Sequence, residues 1–170
     1  MSNAAVFSAI KKICAAYSAK LETLAEDDFQ TTPPIEGWSY SEVYDHIFDL
    51  SLLSLDTMRE AVKGHGEKKP TAFIVKVILF FGMFPPAKKF KVPKRFDGRV
   101  KKINKTEAAI WIEQFMQQLV IDYAALEKAD PAIKTLHPRF GYLNASQWFR
   151  VIQIHLNHHL KQLKRIENSF

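Results

Sequence analysis

Residues 144–166 read NASQWFRVIQIHLNHHLKQLKRI. Asn144 followed three positions later by Gln147 is a capping-box signature, in which two side chains satisfy each other's orphan backbone amides at a helix start. From there Trp148, Ile152, His155, His159 and Ile166 recur at steps of three, four and seven, the spacing of one face of an α-helix. Two imidazoles therefore interrupt an otherwise apolar seam. His155 and His159 are one turn apart, about 40° around the axis, so both rings can reach one ion. His158 falls on the neighbouring row with Ile154, Lys161 and Arg165, a row that turns toward solvent at its C-terminal end.

Three earlier segments carry the same periodicity, and no stretch alternates as a half-buried strand must. A first helix is expected over residues 3–27, with Val6, Ile10, Ile13, Tyr17, Leu21 and Leu24 on one face and Cys14 beside it. The second opens on Ser39-Tyr40-Ser41-Glu42, another capping box. It carries Val43, His46, Ile47, Leu50, Leu53 and Thr57 on one stripe, and Gly64-His65-Gly66 ends it. Pro33-Pro34 and Gly37 make the preceding connection a turn. A third long helix starts at Asn104 or Thr106 and runs to about residue 129, before Pro131, with Ile112, Phe115, Leu119, Tyr123 and Leu126 inward.

Residues 63–105 are irregular: a short apolar helix near 71–82, then Pro85-Pro86 and Pro93 among basic residues. A connection this long is either functional or a crossover. The expectation is an all-α chain, one domain over residues 1–170, folded as a four-helix bundle with a long crossover between helices 2 and 3. The apolar run 73–84, rich in Phe and Ile, is expected to be buried, across the open end of the bundle or in a dimer contact.

The composition agrees. A chain of 170 residues with 47% hydrophobic and 25% charged residues can bury a core, which excludes a disordered tail or a fibre. Cys14, the single cysteine, excludes an internal disulfide and reads as a small buried hydrophobe. The N-terminal residues lack the apolar core of a secretory signal, and Lys76 interrupts a run already short of the roughly 20 apolar residues a membrane span needs. A cytoplasmic protein with no membrane span is expected. The net charge of +6 is local: residues 88–102 hold eight basic residues against Asp97, and the remaining 16 basic and 17 acidic residues nearly balance.

The six histidines are His46, His65, His137, His155, His158 and His159. His46, between Val43 and Leu50, faces inward as His155 and His159 do. An unsatisfied buried polar group costs about 1–3 kcal/mol, and a divalent cation removes that cost by accepting a lone pair from each neutral ring. An i,i+4 histidine pair alone is more often structural, and a single inward histidine is usually a satisfied core residue, so metal site and satisfied core both stay open. His137, before Pro138, is expected to fix a turn, and His65, between two glycines, to be exposed.

These residues resemble a known family. GWSYSEVYDHIFDLSLL (37–53) is similar to the second-helix motif of the DinB-like (YfiT-like) metal-binding four-helix bundles. HPRFGYLNASQWFRVIQIHLNHHLKQLKRI (137–166) resembles their last helix, in the branch whose motif reads HP-x-F-G, then W, then H-x-x-x-H-x-x-Q. KKFKVPKRFD (88–97) is similar to that branch's crossover. The resemblance implies an up-down-down-up bundle in which His46, His155 and His159 hold nickel or zinc, with positions open to water or substrate. Gln162 matches the family's glutamine and would be a pocket residue or a support for the ligands. His158 departs from the pattern by offering a competing i,i+3 pair with His155. Relatives are often dimers, so the resemblance makes a homodimer an open expectation.

The resemblance also implies the leading functional expectation, a divalent-metal-dependent enzyme similar to the family's thiol-dependent transferases and hydrolases, acting on a small molecule with a low-molecular-weight thiol. Asp49, one turn after His46, would be a base, a further ligand or an exposed acid. The basic segment 88–102 would draw anionic substrates or stay a solvated loop. The alternatives are a non-catalytic metal- or ligand-binding module and, last, nucleic-acid binding through 88–102, where Phe90 and Phe96 interleave the cations but no stacking fold accompanies them.

Overall fold

The structure is a computed structural model that describes residues 1–85 and 98–170. The KKFKVPKRFD motif, Phe90 and Phe96 included, lies outside the described residues, as do ten of the positions in the basic segment.

Helix α1 (Asn3–Thr23) starts where the Ser2 hydroxyl accepts from the Ala5 amide. It stops short of the expected residue 27, and a separate turn, α2 (Glu26–Gln30), follows. The reason is electrostatic. Glu26, Asp27 and Asp28 would oppose the negative C-terminal pole of a continued α1, whereas restarting the helix puts all three in a first turn, where acids are favoured. α3 (Tyr40–Val62) and α6 (Ala145–Glu167) begin at the capping boxes Ser39–Glu42 and Asn144–Gln147, with both reciprocal bonds formed. α5 (Lys105–Leu126) begins with a third box, Asn104–Glu107, which decides the start in favour of Asn104 over Thr106.

Side-chain pairs fix the helix directions. Asn3 meets Ser146 and Lys20 meets Glu167, so α1 and α6 run parallel. The Ser41 hydroxyl exchanges hydrogen bonds with Ile103 at the start of α5, and Arg59 bonds Asp122 near its end, so α3 and α5 are parallel too. Phe7 stacks on Tyr123 at 4.2 Å, which sets α1 antiparallel to α5. The order is up-down-down-up, with residues 63–104 carrying the chain back along the bundle. α1 and α3 occupy opposite corners, each packed on α5 and α6. The centre is aromatic: Tyr17, Tyr44, Phe48, Phe115 and Phe149 are fully buried. Cys14 joins this core, and burial pushes its thiol up to about 12.

Two features depart from expectation. A short antiparallel hairpin, β1 (Thr135–His137) and β2 (Gly141–Leu143), pairs Thr135 with Leu143 and His137 with Gly141 just before α6. Three residues per strand are too few to show an alternation in sequence. Within one chain the apolar run is only partly covered: in α4 (Phe73–Phe81) Val75 and Ile78 are buried, while Phe73, Ile74, Phe80 and Phe81 are exposed. The dimer contact, the other expectation for this run, concerns a second chain. A helix apolar on every side can bury only the face it turns to its neighbour, here α6. Arg150 fixes that contact by donating from Nε to the Leu79 carbonyl at 3.1 Å. Among the described residues no helix is long and apolar enough to cross a membrane.

Candidate metal centre

The Ser39–Glu42 box sets the register of α3, and that register turns His46 toward α6, where His155 and His159 point back at it. Ring centroids are 5.4 Å apart for His46–His155, 4.8 Å for His46–His159 and 4.7 Å for His155–His159. One nitrogen from each ring can be chosen so that all three lie within 4.8 Å of one another.

Gln162 favours one tautomer of His159. Its Oε1 lies 2.8 Å from His159 Nδ1, and an amide oxygen only accepts, so the contact is a hydrogen bond in the tautomer that carries the proton on Nδ1. In the neutral ring Nε2 is then a bare lone pair, and it lies 3.0 Å from His155 Nε2. A proton on His155 Nε2 satisfies that pair, and so does a cation that takes both lone pairs. Two nitrogens each about 2.1 Å from one ion stand about 3.0–3.4 Å apart, so the His155–His159 pair fits a divalent ion, with a His46 nitrogen within 4.8 Å as the third ligand.

Burial sets the charge of all three rings. His46 is lowered from its ordinary value to about 4 and His159 to about 3, chiefly by loss of solvent and with smaller contributions from neighbouring charges. His155 is lowered well below its ordinary range by burial and then by the two facing rings. Neutral rings are what a metal requires. The sign for stability follows. Between pH 6.5 and about 4 the unfolded chain binds the His46 proton and the folded chain does not, so metal-free protein loses stability as pH falls through that window. The expected loss is on the order of 3 kcal/mol from His46. Urea midpoints at pH 7 and pH 4 measure it, and His46→Asn should flatten the slope; an unchanged slope would contradict the assignment.

Other candidate residues are placed differently. Asp49 is held by Arg99, which reaches both carboxylate oxygens, so it stands in an ion pair and not as an unpaired base. His158 is exposed, on the outer side of His159 with its ring against Phe84 at 5.4 Å, and is not in the cluster. His137 fixes its turn: Nδ1 accepts from the amides of Arg139 at 3.0 Å and Phe140 at 3.2 Å. His65 is exposed and contacts Glu60.

The sequence reading missed two residues that line the cavity beside the rings. Trp38 lies 4.6 Å from the His46 ring and forms an aromatic wall over it; its place just before the Ser39 cap was the available signal. Asp45 is 3% exposed and accepts from the Lys101 amide at 3.0 Å, which ties the end of the crossover to α3. Burial raises its carboxyl above the ordinary range despite that bond. The rings open onto a cavity of about 1130 Å³ bounded by Trp38, the His137–Phe140 turn, Phe84 and the outer half of α6.

Comparison with known proteins agrees with this architecture. The Bacillus subtilis (strain 168) protein described as "Uncharacterized protein YuaE" is 25% identical over 150 residues, covering 88% of this chain and 90% of that one. The crystal structure of TT2238, described as a four-helix bundle protein, superposes with a TM-score of 0.62 at 17% identity, over 96% of this chain and 99% of that chain. The DinB superfamily model matches residues 10–163, nearly the whole bundle with all three inward histidines. The chain belongs to the DinB superfamily.

Proposed function

We propose that His46, His155 and His159 hold one divalent cation, nickel or zinc, and that the cavity in front of them is the active site of a metal-dependent transferase or hydrolase that uses a small thiol. The observation that carries this reading is the convergence of three neutral imidazoles on one point beside a large cavity, with no fourth histidine, cysteine or carboxylate in the group among the described residues. Catalytic metal sites have this form, three protein ligands and an open position. The ion, when bound, supplies Lewis acidity that lowers the pKa of a water or thiol at that position.

The chain's own groups do the rest. Gln162 keeps the proton of His159 on Nδ1, which leaves Nε2 as the donor. Trp38 and Phe84 cover the rings and exclude water on two sides. Arg99 pairs with Asp49 and offsets part of the negative charge that this carboxylate places beside His46.

Metal analysis of untagged protein should return about one divalent ion per chain, and turnover of an electrophilic substrate should require both metal and thiol. Protein that stays empty in metal-replete buffer would overturn the reading. Replacing Gln162 with leucine should weaken metal affinity by roughly 10–100-fold without unfolding the chain, the usual effect of losing a partner that orients a histidine ligand. Competition with a chelating dye measures it.

A further inference from the structure

The rim of the cavity is chemically one-sided. Two carboxylates line it, and each is already engaged: Asp49 by the Arg99 guanidinium, Asp45 by the Lys101 amide. Lys161 and Arg165, one turn apart on the outer half of α6, also line it, and among the described residues neither has a carboxylate within ion-pair distance. Lys161 follows His159 by two residues and Arg165 follows it by six, so their register relative to the His155 and His159 rings is fixed by α6 itself.

We propose that the molecule entering this cavity is a small organic anion, its carboxylate held by Lys161 and Arg165 while its reactive end faces His46, His155 and His159. A neutral ligand would leave both cations without a counter-charge, and a cationic one would be repelled at the mouth. The inference rests on the metal reading above and specifies its substrate class.

The test uses full-length, nickel-loaded protein and three thiols that differ in charge: mercaptosuccinate, 2-mercaptoethanol and cysteamine. Thiolate-to-metal charge-transfer absorbance reports each affinity. The expected order is anionic, then neutral, then cationic, with about tenfold between the first two at low salt, the combined effect of two rim cations, and less at high salt. Lys161→Gln with Arg165→Gln should bring mercaptosuccinate within about threefold of 2-mercaptoethanol and leave 2-mercaptoethanol unchanged. Equal affinities in the unmodified protein would overturn the inference and leave the metal reading standing. A preference that survives the double substitution would place the carboxylate elsewhere, on the metal included, and also overturn it. Protein that binds no nickel would remove both.

Discussion

His159→Ala is expected to strip the chain of its divalent ion, and His158→Ala, one position away, to leave it in place. The two imidazoles are adjacent in sequence but 100° apart on the helix. One is 7% exposed, faces His46 and is hydrogen-bonded to Gln162; the other is exposed and rests on Phe84. Removing one of three ligands should lower affinity by more than the roughly 10–100-fold that an orienting partner is worth, so the dialysed variant should hold little metal. His46→Ala and His155→Ala should behave like His159→Ala. Circular dichroism at pH 7 separates loss of metal from loss of fold, because the metal-free bundle keeps its aromatic core. If His158→Ala emptied the site and His159→Ala kept it, the assignment would be reversed.

The parts of this centre that could be read from sequence are those written in local periodicity. The α6 seam places His155 and His159 together because they are four residues apart, and the capping boxes at Ser39 and Asn144 fix where each helix begins and so which way each ring faces. That His46 meets them needs only the bundle. What depends on long-range pairing could not be read. Asp49 looked available because its partner Arg99 is 50 residues away. The wall made by Trp38 depends on how the turn before α3 folds over the His46 ring. The break between α1 and α2 is a local electrostatic effect that an apolar count over residues 3–27 overlooks. The exposure of α4 was hidden for a different reason: a run of apolar residues says how much surface seeks cover, not how much of it a nine-residue helix can turn toward one neighbour.

Tyr17→Ala should be the most damaging single change away from the histidines. Tyr17 is fully buried and meets Tyr44 and Phe48 edge-on, each at 5.3 Å between ring centroids. Its hydroxyl donates to the Leu156 carbonyl at 2.9 Å, and its own carbonyl accepts from the Tyr44 hydroxyl at 2.8 Å. One residue thus ties α1 to α3 and to α6, beside His155. Truncating a large buried aromatic costs about 3–5 kcal/mol, a large share of the 5–15 kcal/mol that keeps a domain folded. Tyr17→Phe keeps the ring packing and loses one hydrogen bond, about 1 kcal/mol. Urea unfolding of metal-free protein should show that ratio. Repeating the measurement with saturating metal tests whether the lacing also positions the site, since bound ion adds stability that grows with the logarithm of its affinity. For Tyr17→Phe the loss should be the same with and without metal, because Leu156 keeps its place in the helix and His155 keeps its angle. A larger loss with metal present would mean that this one hydroxyl also holds the histidine in register.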